Sequence, residues 1–296
     1  MFAVLMAFVA PVLHSFTNII DSHISNNLFR NPYSIIFYNS ITNILVIPVL
    51  LCFGMPESLT FATFMALLVI ALTEVFYQLP YYMSLKKIDT SVTSALFSLG
   101  QITIPVMAFF LVGEKLHSSQ YIGFIIVIFA SILLNLEKGK RLRLNAAFYL
   151  MCAVSLMLSV QAVLYKYALE NVSWVSALFY STLFSSLMST VFLLPRRSRR
   201  HIGRDWKLYR GNLKYFLTNE ILYQAGEVPS IFALSLLPVV VIEGINATQP
   251  IFVLLFGFLL HRCCKRQFNE HLNTRNVIKK LICFLLMILG VILVVG

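Results

Sequence analysis

The chain has 296 residues, of which 59% are hydrophobic and 12% are charged, and its mean hydropathy is +0.82. Soluble domains carry about a quarter charged residues, so this composition excludes a soluble globule and leaves the bilayer as the place of any function. Lys and Arg outnumber Asp and Glu by 23 to 12. Because the basic excess lies between apolar runs, we expect contact with the lipid bilayer and no nucleic-acid partner.

Apolar stretches follow one another along the chain with little between them. A membrane crossing needs about 20 predominantly apolar residues. The sequence therefore predicts ten transmembrane helices, at residues 2–20, 33–53, 61–81, 92–112, 121–136, 146–165, 175–194, 215–236, 239–260 and 277–295. The first stretch lacks a preceding basic segment and a following small-residue cleavage site, which favours a retained helix over a signal peptide. The longest connection, 195–214, is predicted to be a solvated linker.

Basic residues are distributed unevenly among the connections. Of the 23 basic residues, only Lys115 and Lys166 lie outside the connections after helices one, three, five, seven and nine. By the positive-inside rule, those basic connections face the cytoplasm and both termini lie on the other side. We expect a multi-pass protein of the cell membrane, in bacteria the inner membrane.

An internal repeat is visible when the chain is compared with itself. The segment Thr73-Glu74-Val75-Phe76-Tyr77-Gln78 in helix three recurs as Asn219-Glu220-Ile221-Leu222-Tyr223-Gln224 in helix eight, and after a short slip Pro80 corresponds to Pro229. The offset is five helices, an odd number, so the two halves insert with opposite orientations. The sequence predicts two inverted five-helix repeats, residues 1–140 and 141–296.

Short motifs occur in a fixed order in both halves: Ser84-Leu85, Gly113-Glu114-Lys115-Leu116 and Gln120-x-x-Gly123, then Ala233-Leu234, Pro238, Gln249-Pro250-Ile251-Phe252 and Gly290. With the five-plus-five layout, they make the chain resemble the drug/metabolite transporter superfamily, in particular its ten-helix EamA-like branch. The resemblance covers nearly the whole chain. It implies an all-α integral membrane fold with a substrate cavity between the repeats, and termini in the cytoplasm, opposite to the charge-based prediction.

Two helices carry matching stripes of polar residues at membrane depth, where an acidic side chain costs about 2.5 to 3.5 kcal/mol on insertion scales. A spacing of i, i+3, i+4 and i+7 places four side chains on one helix face. Helix three has Glu74, Tyr77, Gln78 and Tyr81, and helix eight has Glu220, Tyr223, Gln224 and Glu227. Because the stripe occurs twice in symmetric positions, we favour function over simple interhelical hydrogen bonding for Glu74 and Glu220.

Other helices also present a polar face. These faces carry His14, Thr17, Asn18 and Asp21 on helix one, Ser94, Ser98 and Gln101 on helix four, Ser155, Ser159 and Lys166 on helix six, and Glu243 and Asn246 on helix nine. For Glu227 and Glu243 a functional and a structural role stay equally open, and a packing role is slightly favoured for His14. Helices five and ten are nearly apolar and are predicted to face lipid or a second copy of the chain in a homodimer.

The predicted substrate- and proton-binding residues are His14, Asn18, Glu74, Tyr77, Gln78, Tyr81, Glu220, Tyr223, Gln224, Glu227, Glu243 and Asn246. The sequence has no phosphate-binding loop and no zinc-protease or serine-hydrolase motif, and its histidines are scattered. We therefore expect no enzyme activity, no cofactor and no metal.

Three functions are consistent with these patterns. The first is a secondary transporter of a small polar metabolite, with an amino or cationic group, that exchanges it for protons by alternating access. The second is a lipid-linked sugar flippase of the same fold, which an acidic cavity disfavours because the sugar carrier has a phosphate head. The third is a membrane scaffold without transport activity.

Overall fold

The computed structural model describes residues 2–88, 90–97, 103–113, 115, 117–135, 146–264 and 274–295. Within these ranges the chain forms α-helices joined by turns and by short 3₁₀ and π segments, with no β-strand. Every predicted span falls on one or two of these helices. The predicted all-α membrane fold is therefore confirmed.

The first half contains seven α-helices. They are α1 (Phe2–His23), α2 (Pro32–Asn43), α3 (Ile47–Leu51), α4 (Phe61–Leu85), α5 (Thr90–Leu96), α6 (Ile104–Leu111) and α7 (Ser118–Asn135). A π-helical turn, Ile24–Leu28, extends α1, and a 3₁₀ turn joins α2 to α3. Asn31 caps α2 by accepting a hydrogen bond from the Tyr33 backbone, with Pro32 in the first turn, as the fixed φ of proline favours.

The second half also contains seven α-helices. They are α8 (Ala146–Leu169), α9 (Trp174–Ser189), α10 (Arg196–Gly211), α11 (Leu213–Leu236), α12 (Val239–Asn246), α13 (Gln249–Cys264) and α14 (Thr274–Val295). Helix α10 occupies most of the connection 195–214, which the sequence analysis predicts as a linker. The prediction of a linker is wrong because this basic segment has the residue spacing of an amphipathic helix. Ser198, Ile202 and Tyr209 are buried, whereas its basic residues are exposed.

Within the described part of the chain, six helical segments are long and apolar enough to cross a membrane: 2–28, 32–51, 61–85, 146–169, 174–193 and 239–257. Helices α7 and α14 carry shorter apolar stretches, and α11 is 24 residues long. The fourth predicted span is represented by α5 and α6, whose intervening residues 98–102 lie outside the described ranges. The total of ten crossings and the repeat boundary near residue 140 stay predictions.

The main contacts pair helices that the repeat makes equivalent. Helix α1 packs along α11, and α4 packs along α8, the same pairing with the halves exchanged. Helix α7 packs along α14, which is its own counterpart in the second half. This reciprocal pattern is what two inverted repeats produce when they associate about a pseudo-two-fold axis in the membrane plane.

The contact between α7 and α14 depends on glycine. A Cβ added to Gly290 would lie 2.7 Å from the Gly123 carbonyl oxygen and 2.6 Å from a Val127 methyl group, so the backbones approach more closely than any side chain allows. The outer faces of both helices expose large apolar side chains, such as Ile125 and Leu285. These faces suit lipid or a second copy of the chain.

Candidate functional site

A cavity of about 200 Å³ lies between the two halves. Residues from α1, α4, α5, α8, α11, α12 and α13 line it. Its wall includes Asp21, Glu227 and Glu243, and none of its described lining residues is Lys or Arg. The wall is therefore acidic, with His14 as its one basic side chain.

A discontinuous helix borders this cavity. Helix α12 ends at Asn246 and α13 begins at Gln249, and both of these residues line the cavity. Breaks of this kind place backbone and side-chain polar groups at the substrate site of many transporters with inverted repeats. The break therefore marks the cavity as the candidate site.

The imidazole of His14 and the carboxylate of Glu227 lie close together on the cavity wall. The His14 Nε2 atom lies 3.7 Å from Glu227 Oε2 and 3.3 Å from the Tyr223 carbonyl oxygen. The His14 ring also stacks on the Tyr223 ring, with 5.1 Å between centroids. Helix packing therefore fixes the imidazole beside the Glu227 carboxylate.

Gly226 makes this arrangement possible. A Cβ at position 226 would lie 2.9 Å from His14 Nε2 and 3.4 Å from the Ala10 Cα. Since a contact below 3.0 Å requires a shift of one partner, the absence of a side chain at position 226 gives the imidazole its place between α1 and α11.

Several buried polar atoms of the cavity wall have no protein partner among the described residues. They are Asn18 Nδ2, Ser94 Oγ, Gln161 Oε1 and Asn246 Oδ1. An unpaired buried polar group costs about 1 to 3 kcal/mol. This cost is recovered when water or a polar ligand occupies the cavity, so the wall is built for a polar occupant.

Asp21 forms the hub of a hydrogen-bond network beside the cavity. Its carboxylate accepts hydrogen bonds from Tyr81 Oη (3.2 Å), Tyr82 Oη (2.9 Å) and Asn219 Nδ2 (3.0 Å). Tyr81 also lies 3.0 Å from Asn18 Oδ1. The network joins α1, α4 and α11, and Asp21 itself is only 8% exposed.

A second cavity of about 70 Å³ contains the paired glutamates of the repeat. Glu74 and Glu220 line it together with Gln78 and Asn219. The larger and smaller cavities share a wall formed by Thr17, Asp21, Tyr77, Tyr81 and Tyr223. Glu74 Oε2 and Asn219 Oδ1 are buried acceptors without a donor among the described residues.

The two matching stripes differ in their hydrogen bonds. Gln224 Nε2 donates to Glu220 Oε1 and to Asn43 Oδ1, both at 2.9 Å. Gln78 Nε2 instead donates to the backbone carbonyl of Glu74 at 3.0 Å. The Glu220 carboxylate is therefore held by Gln224 of its own helix, which also bonds to α2, whereas one carboxylate oxygen of Glu74 has no partner among the described residues.

Lys166 does not approach any of these carboxylates. Its Nζ donates to the carbonyl oxygens of Leu234 (3.0 Å) and Leu237 (2.9 Å). These carbonyls lie at the C-terminal end of α11, where unsatisfied acceptors and the helix dipole favour a cation. Its placement on the polar face of helix six therefore reflects helix capping.

The predicted binding residues divide between the two cavities. His14, Asn18, Glu227, Glu243 and Asn246 line the larger one, Glu74, Gln78 and Glu220 line the smaller one, and Tyr77, Tyr81 and Tyr223 line both. Gln224 lines neither and supports Glu220.

The predicted set omitted several residues that line the larger cavity, among them Asp21 and Tyr165. Asp21 belongs to the polar face of helix one in the sequence, so the helical spacing of that face already places Asp21 beside His14 and Asn18. Tyr165, which donates to Ser181 Oγ at 2.7 Å, lies one position before Lys166 and outside the polar stripe, and no sequence pattern marks it. Ser98 and Gln101 lie outside the described residues.

Comparison with known proteins agrees with this architecture. Residues 1–136 match the profile of the EamA-like transporter family, and none of the curated proteins matches the chain. A solved structure, titled only as the crystal structure of a protein, aligns with a TM-score of 0.67 and 14% identity and covers 99% of this chain and 98% of its own. The two chains therefore share a fold over their whole lengths.

The family match covers the first half, and the helix pairing continues the same architecture through the second. Together they show that the chain is a multi-pass membrane protein whose residues 1–136 are similar to the EamA-like transporter family.

Proposed function

We propose that the chain is a secondary transporter that exchanges protons for a small polar metabolite with an amino or cationic group. The observation that carries this proposal is the larger cavity, where Glu227 and Glu243 face a polar space whose described wall has no Lys or Arg. A wall that carries carboxylates and no described Lys or Arg attracts a cationic ligand.

The size and the aromatic residues of the cavity support a small cationic substrate. Its volume of about 200 Å³ is below the range of about 300 to 1,000 Å³ that is usual for drug-sized ligands. Tyr77, Tyr81 and Tyr223 line it, and a ring face attracts an ammonium group within about 6 Å of its centroid. The unpaired amide atoms of Asn18 and Gln161 add hydrogen-bonding positions for a polar substrate.

Proton exchange is supported by the carboxylates around the smaller cavity. The titratable groups that interact electrostatically with Glu74 include Glu220, Glu227 and Tyr223 on α11, Tyr77 on α4 and Tyr165 on α8, and those that interact with Glu220 include Asp21. Neighbouring like charges disfavour simultaneous ionisation. A proton held among these carboxylates relieves that repulsion, and an ammonium group in the adjacent cavity does the same, so the two occupants compete.

Alternating access is supported by the symmetric helix pairs. The α1–α11 and α4–α8 contacts are equivalent under exchange of the halves. Rocking one half against the other exchanges the roles of the two pairs and opens the cavity to the opposite side of the membrane.

The substrate is tested by counterflow in proteoliposomes with a panel of radiolabelled amines and amino acids at equal pH on both sides. We expect at least one to be exchanged by the wild type and by Glu170→Gln, whose carboxylate is exposed at the end of α8. Glu227→Gln should lose most of this exchange, because an amide keeps the shape but not the charge. Equal exchange by Glu227→Gln and wild type would remove the cationic substrate from the proposal.

Proton coupling is tested with the same vesicles under an imposed pH gradient. We expect the gradient to drive accumulation of the exchanged compound and a protonophore to abolish it. Accumulation that follows a sodium gradient and ignores pH would contradict the coupling. If no compound is exchanged but a fluorescent lipid moves between leaflets, the flippase function replaces the transporter.

A further inference from the structure

The connection between α9 and α11 forms a helix with an unusual distribution of charge. Helix α10 has 16 residues, of which six are Arg, one is Lys and one is Asp. All seven basic residues are exposed, and among the described residues no carboxylate lies within ion-pairing distance of them. No residue of α10 lines either cavity, and the proposed transport cycle assigns no role to this charge.

One face of α10 is fixed against α2. The Tyr209 ring stacks on the Tyr38 ring with 4.3 Å between centroids, and Tyr38 Oη donates to the Ile202 carbonyl oxygen. The single acidic residue, Asp205, accepts a hydrogen bond from Ser34 Oγ at 2.6 Å. Because Asp205 is engaged with α2, it does not neutralise the outward face of α10.

The position of α10 places it at the membrane boundary. It begins three residues after the membrane-spanning segment 174–193 ends, and α11 begins two residues after α10 ends. Its partner α2 is the first part of another candidate span, 32–51. A helix connected and packed in this way lies along the rim of the bundle, at the ends of the spans.

Exposed apolar residues accompany the basic ones at this rim. Leu194 is 77% exposed, Trp206 is 47% exposed and Leu208 is 38% exposed. On a helical projection the exposed Trp206 and Leu208 flank the buried face, and Arg200 and Lys207 project opposite to it. Tryptophan beside leucine and many basic residues is the composition of helices that lie in the bilayer interface.

We propose that α10 is an interfacial helix whose basic face binds the headgroups of anionic phospholipids. Trp206 and Leu208 enter the boundary of the acyl chains, and the guanidinium groups bind lipid phosphates, to which planar Arg donors are well matched. Anionic headgroups supply the negative charge that the described protein does not place beside these arginines.

The test uses Trp206 as a local reporter. The chain has two tryptophans, so Trp174→Phe leaves Trp206 alone, and Trp206→Phe leaves Trp174, at the start of α9 and the opposite end of that span. Each variant is placed in bilayers of about four parts phosphatidylcholine to one part phosphatidylglycerol. In one preparation the acyl chains of the phosphatidylglycerol are brominated, and in the other an equal amount of the phosphatidylcholine is brominated.

Both preparations have the same headgroup composition, so a difference in quenching measures which lipid lies beside the tryptophan. For Trp206 we expect brominated phosphatidylglycerol to quench at least about twofold more than brominated phosphatidylcholine, because each basic residue near an anionic surface gives a several-fold preference. For Trp174 we expect no preference. High salt should reduce the Trp206 preference, because exposed charges are screened within about 10 Å at 0.1 M.

Variants of the basic face complete the test. The triple change Arg197→Gln, Arg200→Gln and Arg204→Gln should remove the preference, and Lys at the same three positions should keep most of it. Equal quenching by the two brominated lipids in the parent protein, or a preference unchanged by salt, would overturn the proposal without any variant. A preference that survives the Gln substitutions would also overturn it.

Discussion

Replacement of Asp21 should destabilise the protein by an amount that depends on what replaces the carboxylate. In Asp21→Ala, Tyr82 Oη and Asn219 Nδ2 lose the acceptor that they now share, Asp21 Oδ1. Tyr81 keeps an acceptor in Asn18. Two buried donors without a partner cost about 1 to 3 kcal/mol each, so the free energy of unfolding should fall by about 2 to 6 kcal/mol.

Asp21→Asn should behave differently, although it also removes the charge. The amide oxygen can accept from Tyr82 and Asn219, and the amide nitrogen can donate to Tyr81 Oη, which still donates to Asn18. The charge-assisted contribution to these bonds is lost, but so is the cost of burying a charge. We therefore expect stability within about 1 kcal/mol of wild type.

The measurement is an SDS titration of the protein in mild detergent micelles, followed by circular dichroism at a helix band. Glu170→Ala, at an exposed position, serves as the control and should change stability by less than about 0.5 kcal/mol. An Asp21→Ala variant as stable as this control, or an Asp21→Asn variant as unstable as Asp21→Ala, would contradict the role of Asp21 as the central acceptor of this hydrogen-bond network.

Four further predictions follow from packing and charge. Gly226→Ala should displace His14 from Glu227, because its Cβ would lie 2.9 Å from His14 Nε2, and should lower stability by about 1 to 3 kcal/mol in the SDS titration. Gly290→Ala should cost a similar amount by separating α14 from α7, whereas Gly54→Ala, in open space, should not. Lys166→Met should cost about 1 to 3 kcal/mol in the same assay by leaving the carbonyls of Leu234 and Leu237 unpaired. A reporter active only in the cytoplasm should be silent after residue 296 and active after residue 212, and the opposite result would place both termini in the cytoplasm.

The helical fold and the candidate cavity can be predicted from the sequence, because both depend on the spacing of apolar and polar residues and on the order of motifs along the chain. Hydrophobic runs indicate the spans, and a spacing of three and four residues places Glu220, Tyr223 and Glu227 on one face. The match between residues 73–78 and 219–224 indicates the inverted repeat, whose reciprocal helix pairs the structure shows. Each of these properties is local or repeats at a fixed offset.

The hydrogen-bond partners of the side chains could not be predicted from the sequence, because they depend on which helices pack against each other. Gln78 and Gln224 occupy equivalent positions, yet only Gln224 reaches another helix, since Asn43 of α2 lies beside it. The apolar period of α10 was present in the sequence, but its many arginines gave the segment the composition of a solvated linker. The sequence predicts Lys166 on a polar face toward the cavity, because no sequence pattern indicates that it caps the end of α11.

The hydrogen bonds also show how a symmetric backbone comes to carry an asymmetric site. At the offset that relates residues 73–78 to residues 219–224, Tyr81 corresponds to Glu227 and Thr73 to Asn219. Tyr81 and Asn219 both bind Asp21, whereas Glu227 lies beside His14, so titratable side chains concentrate between α1 and α11. In the equivalent α4–α8 pair, α4 carries the acid Glu74, and the polar residues of α8 include Ser155 and Ser159. In the proposed alternating-access cycle the two interfaces exchange roles, so we expect this difference in titratable groups to give the two directions of transport unequal chemistry.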